Sequence, residues 1–263
     1  MNTQTSSNSS NIYSILSKIQ RLRVSDGEIK PVLDGCSTTS QLLILIWSQL
    51  GDFDNLEYAW WLRREKEKLA SKGITIRAVG IGDRNSGIKF CEYTGFPAEW
   101  LFVDEKAEIH KLLGLYRGLS VQFPILSTSQ KAWLNLMLMC AGIGSPGTLK
   151  EVFRGYRGDK KAPQLIANEE FVRNTPLPPI KGSFFKAAGG EGFQRPFELA
   201  TLRLRNMTEV LSNWSTYVPD SSYLTQRGGT FLFDSQSNLI YEHRDCGILG
   251  FAENMSNPLS FLQ

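Results

Sequence analysis

The chain has 263 residues, of which 41% are hydrophobic and 21% are charged, a composition that is ordinary for a globular protein. This length suits one large domain or a core domain with a sizeable insertion. With 29 basic and 26 acidic residues the net charge is +3, which is too balanced for a nucleic-acid-binding surface and excludes nucleic acid as an expected partner.

The N-terminal sequence is predicted to be a disordered lead covering residues 1–11. It is polar and lacks the basic and apolar regions of a signal peptide. The longest apolar runs in the chain, 42–47 and 136–143, are far shorter than the ~20 residues that span a bilayer. We therefore expect no transmembrane helix.

The first half of the chain alternates predicted strands and helices. Leu42 to Trp47, a run of six apolar residues, predicts a buried strand, and a helix is predicted at 56–69. Asp54 is the expected N-cap of this helix, with Glu57 as its capping-box partner. The residues 74–81 predict a second buried strand, so the three elements form a βαβ unit with parallel strands. The other elements predicted here are a helix at 12–22, a strand at 29–33, a helix at 86–94, a strand at 101–103 and a helix at 107–115.

The second half changes character, because residues 117–228 predict helices and no convincing strand. A segment rich in proline and glycine, 162–192, predicts an irregular connection. Two runs, 229–234 and 238–243, then predict a β-hairpin, followed by an apolar tail at 248–262. The helices predicted in this half lie at 132–141, 146–156 and 197–218, the last with Pro196 at its first position.

The turn between the strand at 42–47 and the following helix is the most informative segment. Laid against the thioredoxin pattern W-x-x-x-C-x-x-C, Trp47 takes the position of the tryptophan, and Gly51 and Asp54 take the positions of the two cysteines. The sequence Gly-Asp-Phe-Asp cannot form a thiolate. The turn is similar to a redox site from which the cysteines are missing.

Several motifs extend this similarity along the chain. They are VSDG at 24–27, AVGIGD at 78–83, FCEYTGFP at 90–97, LGLYRG at 113–118, and RGGTFLFD with LIYEHRD within 227–245. In this order they resemble the AhpC/TSA peroxiredoxin-like proteins of the thioredoxin-like superfamily. The similarity is greatest to a cyanobacterial and chloroplast branch, in which QLGDFD and RPFELATLRL also occur.

The resemblance implies an α/β fold. We expect the thioredoxin-like three-layer architecture, in which a mixed central sheet is flanked by helices, with a large and mainly helical insertion before the C-terminal β-hairpin. The expected divisions are a disordered lead (1–11), the N-terminal part of the thioredoxin-like domain (12–118), the helical insertion (119–226) and the C-terminal hairpin and tail (227–263).

The resemblance also implies an antioxidant activity, from which this sequence departs at the residues that matter. Peroxide reduction needs a thiolate, and the carboxylate of Asp54 cannot form the sulfenate intermediate. Thioredoxins place a cis-proline before the strand that faces the active site, and here Gly229, followed by Thr230, takes that position. The degenerate turn is therefore expected to comprise Trp47, Gly51, Asp52, Asp54, Gly229 and Thr230.

Asp52 and Asp54 admit two interpretations. They could form a carboxylate pair that binds a metal or acts as an acid-base couple. They could instead cap the helix and interact with its dipole, which favours acidic residues in the first turn.

Cys246 and Cys91 are the candidate thiols of a displaced redox site. Cys246 follows His243 and an arginine, and a basic neighbour favours the thiolate, although a chance cysteine after the last strand is the simpler interpretation. Cys91 lies on a predicted helix among apolar residues, where a cysteine is commonly a small buried side chain. The four cysteines are widely separated and only two histidines are present, so no disulfide framework, metal site or cofactor is expected.

His243 is a candidate general base that Glu242 or Asp245 could orient. On an alternating strand it shares a face with Tyr241, whereas Glu242 points to the other face. A structural histidine is the alternative interpretation. His110 is expected on the surface of its helix.

The predicted helices of the insertion carry many large apolar side chains. Packing against the sheet is one explanation. A face that binds a partner or a membrane surface is the other, because arginines such as Arg154, Arg157 and Arg203 lie nearby in the sequence.

Two classes of function remain open. The first is a redox-inactive thioredoxin- or peroxiredoxin-like protein that acts as a binding or assembly module, with a protein partner and a place at photosynthetic membranes. The second is an antioxidant thiol peroxidase or oxidoreductase that uses a displaced cysteine. The expected location is the cytoplasm or the chloroplast stroma, peripheral to the thylakoid membrane.

Overall fold

The computed structural model describes residues 12–36, 40–174, 177–187 and 189–262. The predicted disordered lead, 1–11, lies outside these residues. The strands of the described chain are β1 (Gln20–Arg23), β2 (Ile29–Pro31), β3 (Gln41–Gln49), β4 (Ile74–Ile81), β5 (Leu101–Val103), β6 (Phe171–Asn174), β7 (Leu177–Lys181), β8 (Gly229–Phe233) and β9 (Leu239–Arg244).

Helices cover both faces of the main sheet and are the most frequent elements of the segment between β5 and β8. They are α1 (12–18), α2 (Phe53–Arg64), α3 (Lys66–Ser71), α4 (Arg84–Thr94), α5 (Glu108–Leu112), α6 (Thr128–Cys140), α7 (Thr148–Arg157), α8 (Gly182–Lys186), α9 (Pro196–Ser212) and α10 (Trp214–Tyr217). None of the helices in the described part of the chain has the length and hydropathy of a membrane-spanning segment.

Seven strands form one mixed sheet in the order β2-β1-β5-β4-β3-β8-β9. The central strand β3 pairs in parallel with β4 and antiparallel with β8. Leu43 and Leu45 of β3 belong to one hydrophobic cluster, and Ile44 and Ile46 belong to a second cluster on the other face. A strand covered on both faces is a continuous apolar run, which is why the sequence predicted it so clearly. The expected α/β fold of the thioredoxin-like kind is confirmed.

The insertion contains a hairpin that the sequence did not predict. β6 and β7 pair antiparallel, with Val172 opposite Ile180. The segment was expected to be irregular because Pro178 and Pro179 lack backbone N–H donors. In a two-stranded hairpin each strand has an unpaired edge, so prolines are tolerated there.

Several element boundaries also differ from the prediction. The helix expected at 12–22 ends at residue 18, because 20–23 form β1 and pair antiparallel with β2 and β5. The helix expected at 56–69 is divided into α2 and α3 at Glu65, and the helix expected at 197–218 stops at Ser212. Apolar periodicity continued across each of these breaks and did not reveal them.

The C-terminal tail packs on its own chain. Phe251, Leu259 and Leu262 are buried in the cluster that also holds α2. The ring of Phe251 stacks on Tyr58 at 5.0 Å between centroids, and Phe261 stacks on Tyr241 at 4.0 Å. The tail thus holds α2 against the β8-β9 hairpin. The division of the chain at 118 and 226 stays a proposal, since Leu199, Leu202 and Tyr217 share this same core.

Candidate functional site

The turn after β3 is short and is capped by Asp52. Only residues 50–52 separate β3 from α2. The backbone of Asp52 is extended (φ −75°, ψ 129°), and its carboxylate Oδ1 accepts a hydrogen bond from the Asp54 amide at 3.1 Å. The prediction that Asp54 caps this helix is therefore wrong. Its predicted capping partner, Glu57, instead accepts a hydrogen bond from Arg203 Nε at 2.8 Å.

A buried arginine binds the acidic residues of this turn. Arg227, only 2% exposed, lies just before β8, and its Nη2 is 2.6 Å from Asp52 Oδ2. Its Nη1 is 3.8 Å from Asp54 Oδ2. The same guanidinium donates hydrogen bonds to the carbonyls of Thr225 and Leu224, each at 3.2 Å. We call Asp52, Asp54, Arg227 and Asp245 the Arg227 cluster.

Burial biases the protonation of two carboxyl groups in the Arg227 cluster. Burial and the nearby charge of Asp52 raise the pKa of Asp54 well above its ordinary value. Burial likewise raises the pKa of Asp245 to about 7, although Arg227 and the Gly228 amide act in the opposite direction. Asp54 also accepts a hydrogen bond from the Leu249 amide at 2.7 Å. Asp52 is thus the nearer partner of Arg227, and burial disfavours the charged form of Asp54.

The turn is closed from outside by the insertion. A Cβ atom at Gly51 would lie 2.8 Å from Cγ2 of Val218 and 2.9 Å from Cβ of Tyr217. Tyr217 is fully buried, and the side chain of Gln49 reaches across to the carbonyl of Asp220. A position that would carry a cysteine in a thioredoxin-type site is thus covered by the end of α10. A cysteine at Gly51 would not fit without a shift of the insertion.

The strand facing the turn is packed as closely. A Cβ atom at Gly228 would lie 2.2 Å from the carbonyl oxygen of Ile46. Gly229 pairs with Ile46, so the position expected for a cis-proline is an ordinary strand position of β8. Thr230 is buried and its hydroxyl is 3.1 Å from that of Tyr58. These residues are packed structural elements and leave no space for a substrate.

Trp47 and His110 fill the interior behind the turn. The Trp47 ring is buried against Phe90 and Phe96, at 5.1 and 4.9 Å between centroids. Its carbonyl accepts a hydrogen bond from His110 Nε2 at 3.0 Å. The expectation that His110 lies on the surface is wrong, because α5 turns this side chain inward, where it is fully buried. Burial lowers the pKa of His110 to about 4, so the imidazole is neutral.

The candidate thiols do not meet at this site in a reactive form. Cys91 is buried on α4, and burial raises its pKa to about 12. Cys246 is exposed, directly after the Arg227 cluster. Cys140, at the end of α6, is also exposed, but desolvation and the charge of Asp52 raise its pKa. No disulfide joins the described cysteines.

His243 has a structural partner. Its Nε2 is 2.8 Å from the carbonyl of Gly250, so the ring nitrogen donates this hydrogen bond and ties β9 to the C-terminal tail. The Asp245 carboxylate is 3.6 Å away. Glu242 points to the other face of the strand and is paired with Arg244, so it does not orient His243. Within the described ranges no group of three or more His, Cys, Asp or Glu residues could hold a metal ion.

Two residues of the site were missed from the sequence, Arg227 and His110. A signal for Arg227 was available, because Asp52, Asp54 and Asp245 lie next to buried strands and need a cation if they are buried together. No comparable signal marked His110. Its neighbours in the sequence, Glu108 and Lys111, are charged and suggested an exposed helix.

The fold and the site define an α/β protein of the thioredoxin-like class in which Gly51 and Asp54 take the cysteine positions and an Asp52–Arg227 ion pair lies between them. More specifically, the chain belongs to the AhpC/TSA family, since residues 61–196 and 181–247 match the family described as AhpC/TSA antioxidant enzyme. The matched residues begin after the turn at 47–54. The family assignment therefore carries no information on the chemistry of that turn.

Other comparisons add little. A solved structure of an uncharacterized conserved protein from Geobacillus kaustophilus is 18% identical, with 46% of this chain and 78% of that chain covered, at a TM-score of 0.29. A likeness of this degree supports no conclusion about function. No curated protein matches the sequence.

Proposed function

We propose that this protein is a redox-inactive member of the AhpC/TSA family that acts as a binding or assembly module. One observation carries the proposal: both positions that would bear the cysteines of a thioredoxin-type site are closed. Gly51 lies against Tyr217 and Val218 of the insertion, and Asp54, only 4% exposed, bonds to Leu249 of the C-terminal tail. Neither position offers a thiol or access to one.

The experiment that tests redox inactivity is peroxide consumption. The purified, reduced protein is mixed with hydrogen peroxide and dithiothreitol, and peroxide loss is compared with that in dithiothreitol alone. We expect no excess turnover for the wild-type protein and none for Cys91→Ser, Cys140→Ser or Cys246→Ser. Turnover in the wild type that disappears in one of these variants would contradict the proposal.

A thiol peroxidase or oxidoreductase that uses a displaced cysteine is the second candidate function. The exposure of Cys246, next to the Arg227 cluster, favours it. Against it, the pKa of Cys140 and that of Cys91 are raised, which disfavours the nucleophilic thiolate. The peroxide experiment separates the two candidates directly, because only this second one predicts turnover that depends on a single cysteine.

The binding surface of the proposed module is the outward face of α7. Leu149, Phe153 and Tyr156 recur at helical spacing and are 49%, 57% and 76% exposed. The polar side of the same helix points inward, where Glu151 is 5% exposed and accepts from Arg154 Nε at 2.6 Å and Arg203 Nη2 at 2.7 Å. A helix that buries Glu151 and turns Leu149, Phe153 and Tyr156 outward is suited to contact a partner.

Peripheral membrane association is part of this proposal and is supported by the charges around the same face. Lys150, Arg157, Lys160 and Lys161 are exposed, and none of them pairs with a carboxylate of the described residues. Aromatic side chains flanked by free cations suit the headgroup region of an anionic bilayer. The setting at photosynthetic membranes of cyanobacteria or chloroplasts is supported only by the motif resemblance.

Vesicle binding tests the membrane part of the proposal. Phosphatidylcholine vesicles are compared with vesicles containing about one third phosphatidylserine. We expect binding only to the anionic vesicles, lost at high salt and in the double variant Phe153→Ser with Tyr156→Ser. Leu204→Ser, which changes an exposed apolar residue on α9, is the matched control and should bind as the wild type does. Absence of binding to either vesicle would leave a protein as the partner of α7.

A further inference from the structure

The longest helix of the insertion has an unusual outward face. The exposed residues among the first sixteen of α9 are all apolar, and only the last residue of the helix, Ser212, is exposed and polar. The apolar ones are Phe197, Ala200, Leu204, Met207 and Leu211. Their spacing alternates between three and four residues, which is the narrow a/d stripe of a helix that packs against another helix. With a rise of 1.5 Å per residue the stripe is about 21 Å long. Phe197, at one end of the stripe, lies against the rings of Phe184 and Phe185 of α8, at 6.4 and 5.5 Å between centroids, but it remains 49% exposed, and the other four residues are also exposed.

The inward face of the same helix is more polar than its outward face. Glu198 and Asn206 are buried there beside Leu199, Leu202 and Val210. Asn206 accepts a hydrogen bond from the Tyr93 hydroxyl at 2.9 Å, and Glu198 pairs with the fully buried Arg195 at 2.9 Å. A solvated surface helix has the opposite arrangement. The outward stripe of α9 therefore has the apolar composition of a helix surface that packs against another protein segment.

We propose that the stripe on α9 binds a second copy of this chain, with the two α9 helices antiparallel about a two-fold axis. An a/d stripe is self-complementary in this orientation, because each a position meets a d position of the other copy. With the axis between residues 205 and 206, Leu204 meets Met207 of the second copy, and Leu211 meets Ala200. Leu211 thus opposes the smallest residue of the stripe, Ala200, while Leu204 and Met207 pack as two large side chains.

The charges beside the stripe favour a protein surface over a bilayer. Arg203 is already paired with Glu57 and Glu151, and the guanidinium of Arg205 lies over the ring of Tyr93 at 4.8 Å. The other flanking positions are Thr201, Thr208 and Val210. Arg205 has no carboxylate partner among the described residues, so one free cation borders the stripe where four border the outward face of α7, which weakens the attraction of the stripe to anionic lipid. No free carboxylate or lysine of the described chain borders the stripe.

The surface is small, so the dimer is expected to be weak. A standard interface buries about 800 Å² on each partner, more than a single five-residue stripe provides. We expect a dissociation constant on the order of micromolar, as for the transient interfaces of low area. The ratio of monomer to dimer should then change within the range of protein concentration that analytical ultracentrifugation can measure.

Sedimentation velocity of the full chain from roughly 1 to 200 μM tests the proposal. The wild-type protein should pass from monomer to dimer, and no further, over this range. Leu204→Glu places like charges next to the two-fold axis and should raise the midpoint concentration at least tenfold. Leu112→Glu on α5 introduces the same charge on an exposed apolar residue (58% exposed) at the other face of the sheet and should leave the midpoint unchanged.

Two outcomes would overturn the proposal. One is a wild-type protein that stays monomeric at every concentration. The other is a dimer that Leu204→Glu and Met207→Glu leave intact or that Leu112→Glu dissolves. Circular dichroism and thermal unfolding of the variants exclude a folding defect, which is not expected because Leu112, Leu204 and Met207 are all exposed. The proposal is independent of redox inactivity, since peroxide turnover does not alter either result.

Discussion

The turn after β3 and the outward faces of α7 and α9 differ in which side chains they bury: the turn buries charged groups, whereas the two helices expose apolar ones. In the turn, the buried guanidinium of Arg227 pairs with Asp52, and Asp54 is buried beside them. On α7 and α9, apolar side chains such as Phe153 and Leu211 are more than half exposed. The place where this fold usually does chemistry has become interior, and the accessible surface with the composition of a binding site belongs to the insertion.

The largest expected change in stability follows from removal of the buried cation, Arg227. Arg227→Met leaves Asp52 without its partner, and removal of one member of a buried ion pair lowers the free energy of unfolding by about 3–5 kcal/mol. The measurement is urea unfolding. Addition of Asp52→Asn should recover part of the loss, because the unpaired charge is then gone.

Lys186→Met is the control for Arg227→Met, because Lys186 and Glu191 form an exposed pair whose loss should change the free energy by less than about 1 kcal/mol. If Arg227→Met were no more destabilising than this control, the turn would be solvated and not interior.

The next effect is a change in the pH dependence of stability. The folded pKa of Asp245, about 7, lies above its unfolded value of about 3.9, so the folded state holds the extra proton between these limits and stability falls as pH rises. The folded pKa of His110, about 4, lies below its unfolded value of about 6.5, so stability rises with pH over much the same range.

These two contributions oppose each other, and single variants separate them. Between about pH 4 and 6.5, Asp245→Asn should make the free energy of unfolding rise more steeply with pH, by up to about 1.4 kcal/mol per pH unit. Over the same range, His110→Gln should make the free energy of unfolding fall as pH rises, by up to the same amount per pH unit. Urea unfolding across this pH range measures both slopes. Parallel profiles for the wild type and both variants would show that neither group is buried as described.

A smaller effect is expected at the cover of the turn. Gly51→Ala forces a methyl group against Val218 and Tyr217 and should lower the free energy of unfolding by about 1–3 kcal/mol. Val218→Ala in the same chain should relieve part of that loss, which a double-mutant cycle measures. An alanine tolerated without loss in the wild-type background would mean that the insertion does not close over the turn.

The smallest effect is expected on the outward surface. Leu149→Ala on α7 removes a side chain that is 49% exposed and should change the free energy of unfolding by no more than about 0.5 kcal/mol. Leu199→Ala on α9 removes one that is 3% exposed and should lower it by about 2–5 kcal/mol. Thermal or urea unfolding compares them. If Leu149→Ala lowered the free energy of unfolding as much as Leu199→Ala does, Leu149 would be buried in a core.

The βαβ unit and the closing hairpin could be predicted from the sequence because their signals are local. A strand buried on both faces is a continuous apolar run, as in Leu42 to Trp47, and Gly73 with φ +66° marks the end of α3. The absence of cysteines at Gly51 and Asp54 was equally plain. These features need no knowledge of which segments meet in space.

The Arg227 cluster could not be predicted in the same way, since its members come from distant parts of the chain. Asp52 was a candidate cap and a candidate acid-base residue, and only the position of Arg227 decides between these roles. Periodicity also failed to show which way a helical face points. It placed Leu202 and Leu204 among the apolar residues of one helix, yet Leu202 is 1% exposed and Leu204 is 44% exposed.

Amide hydrogen exchange of the turn tests its closure most directly. The amides of Leu50, Asp52 and Asp54 are hydrogen-bonded to Ile81, Gln49 and the Asp52 side chain. We expect the peptide over residues 47–56 to exchange as slowly as the core strand β4, because the insertion and the tail must open before water reaches it. Exchange as fast as that of the exposed segment 119–126 would contradict the account, since an open turn would again be available for chemistry.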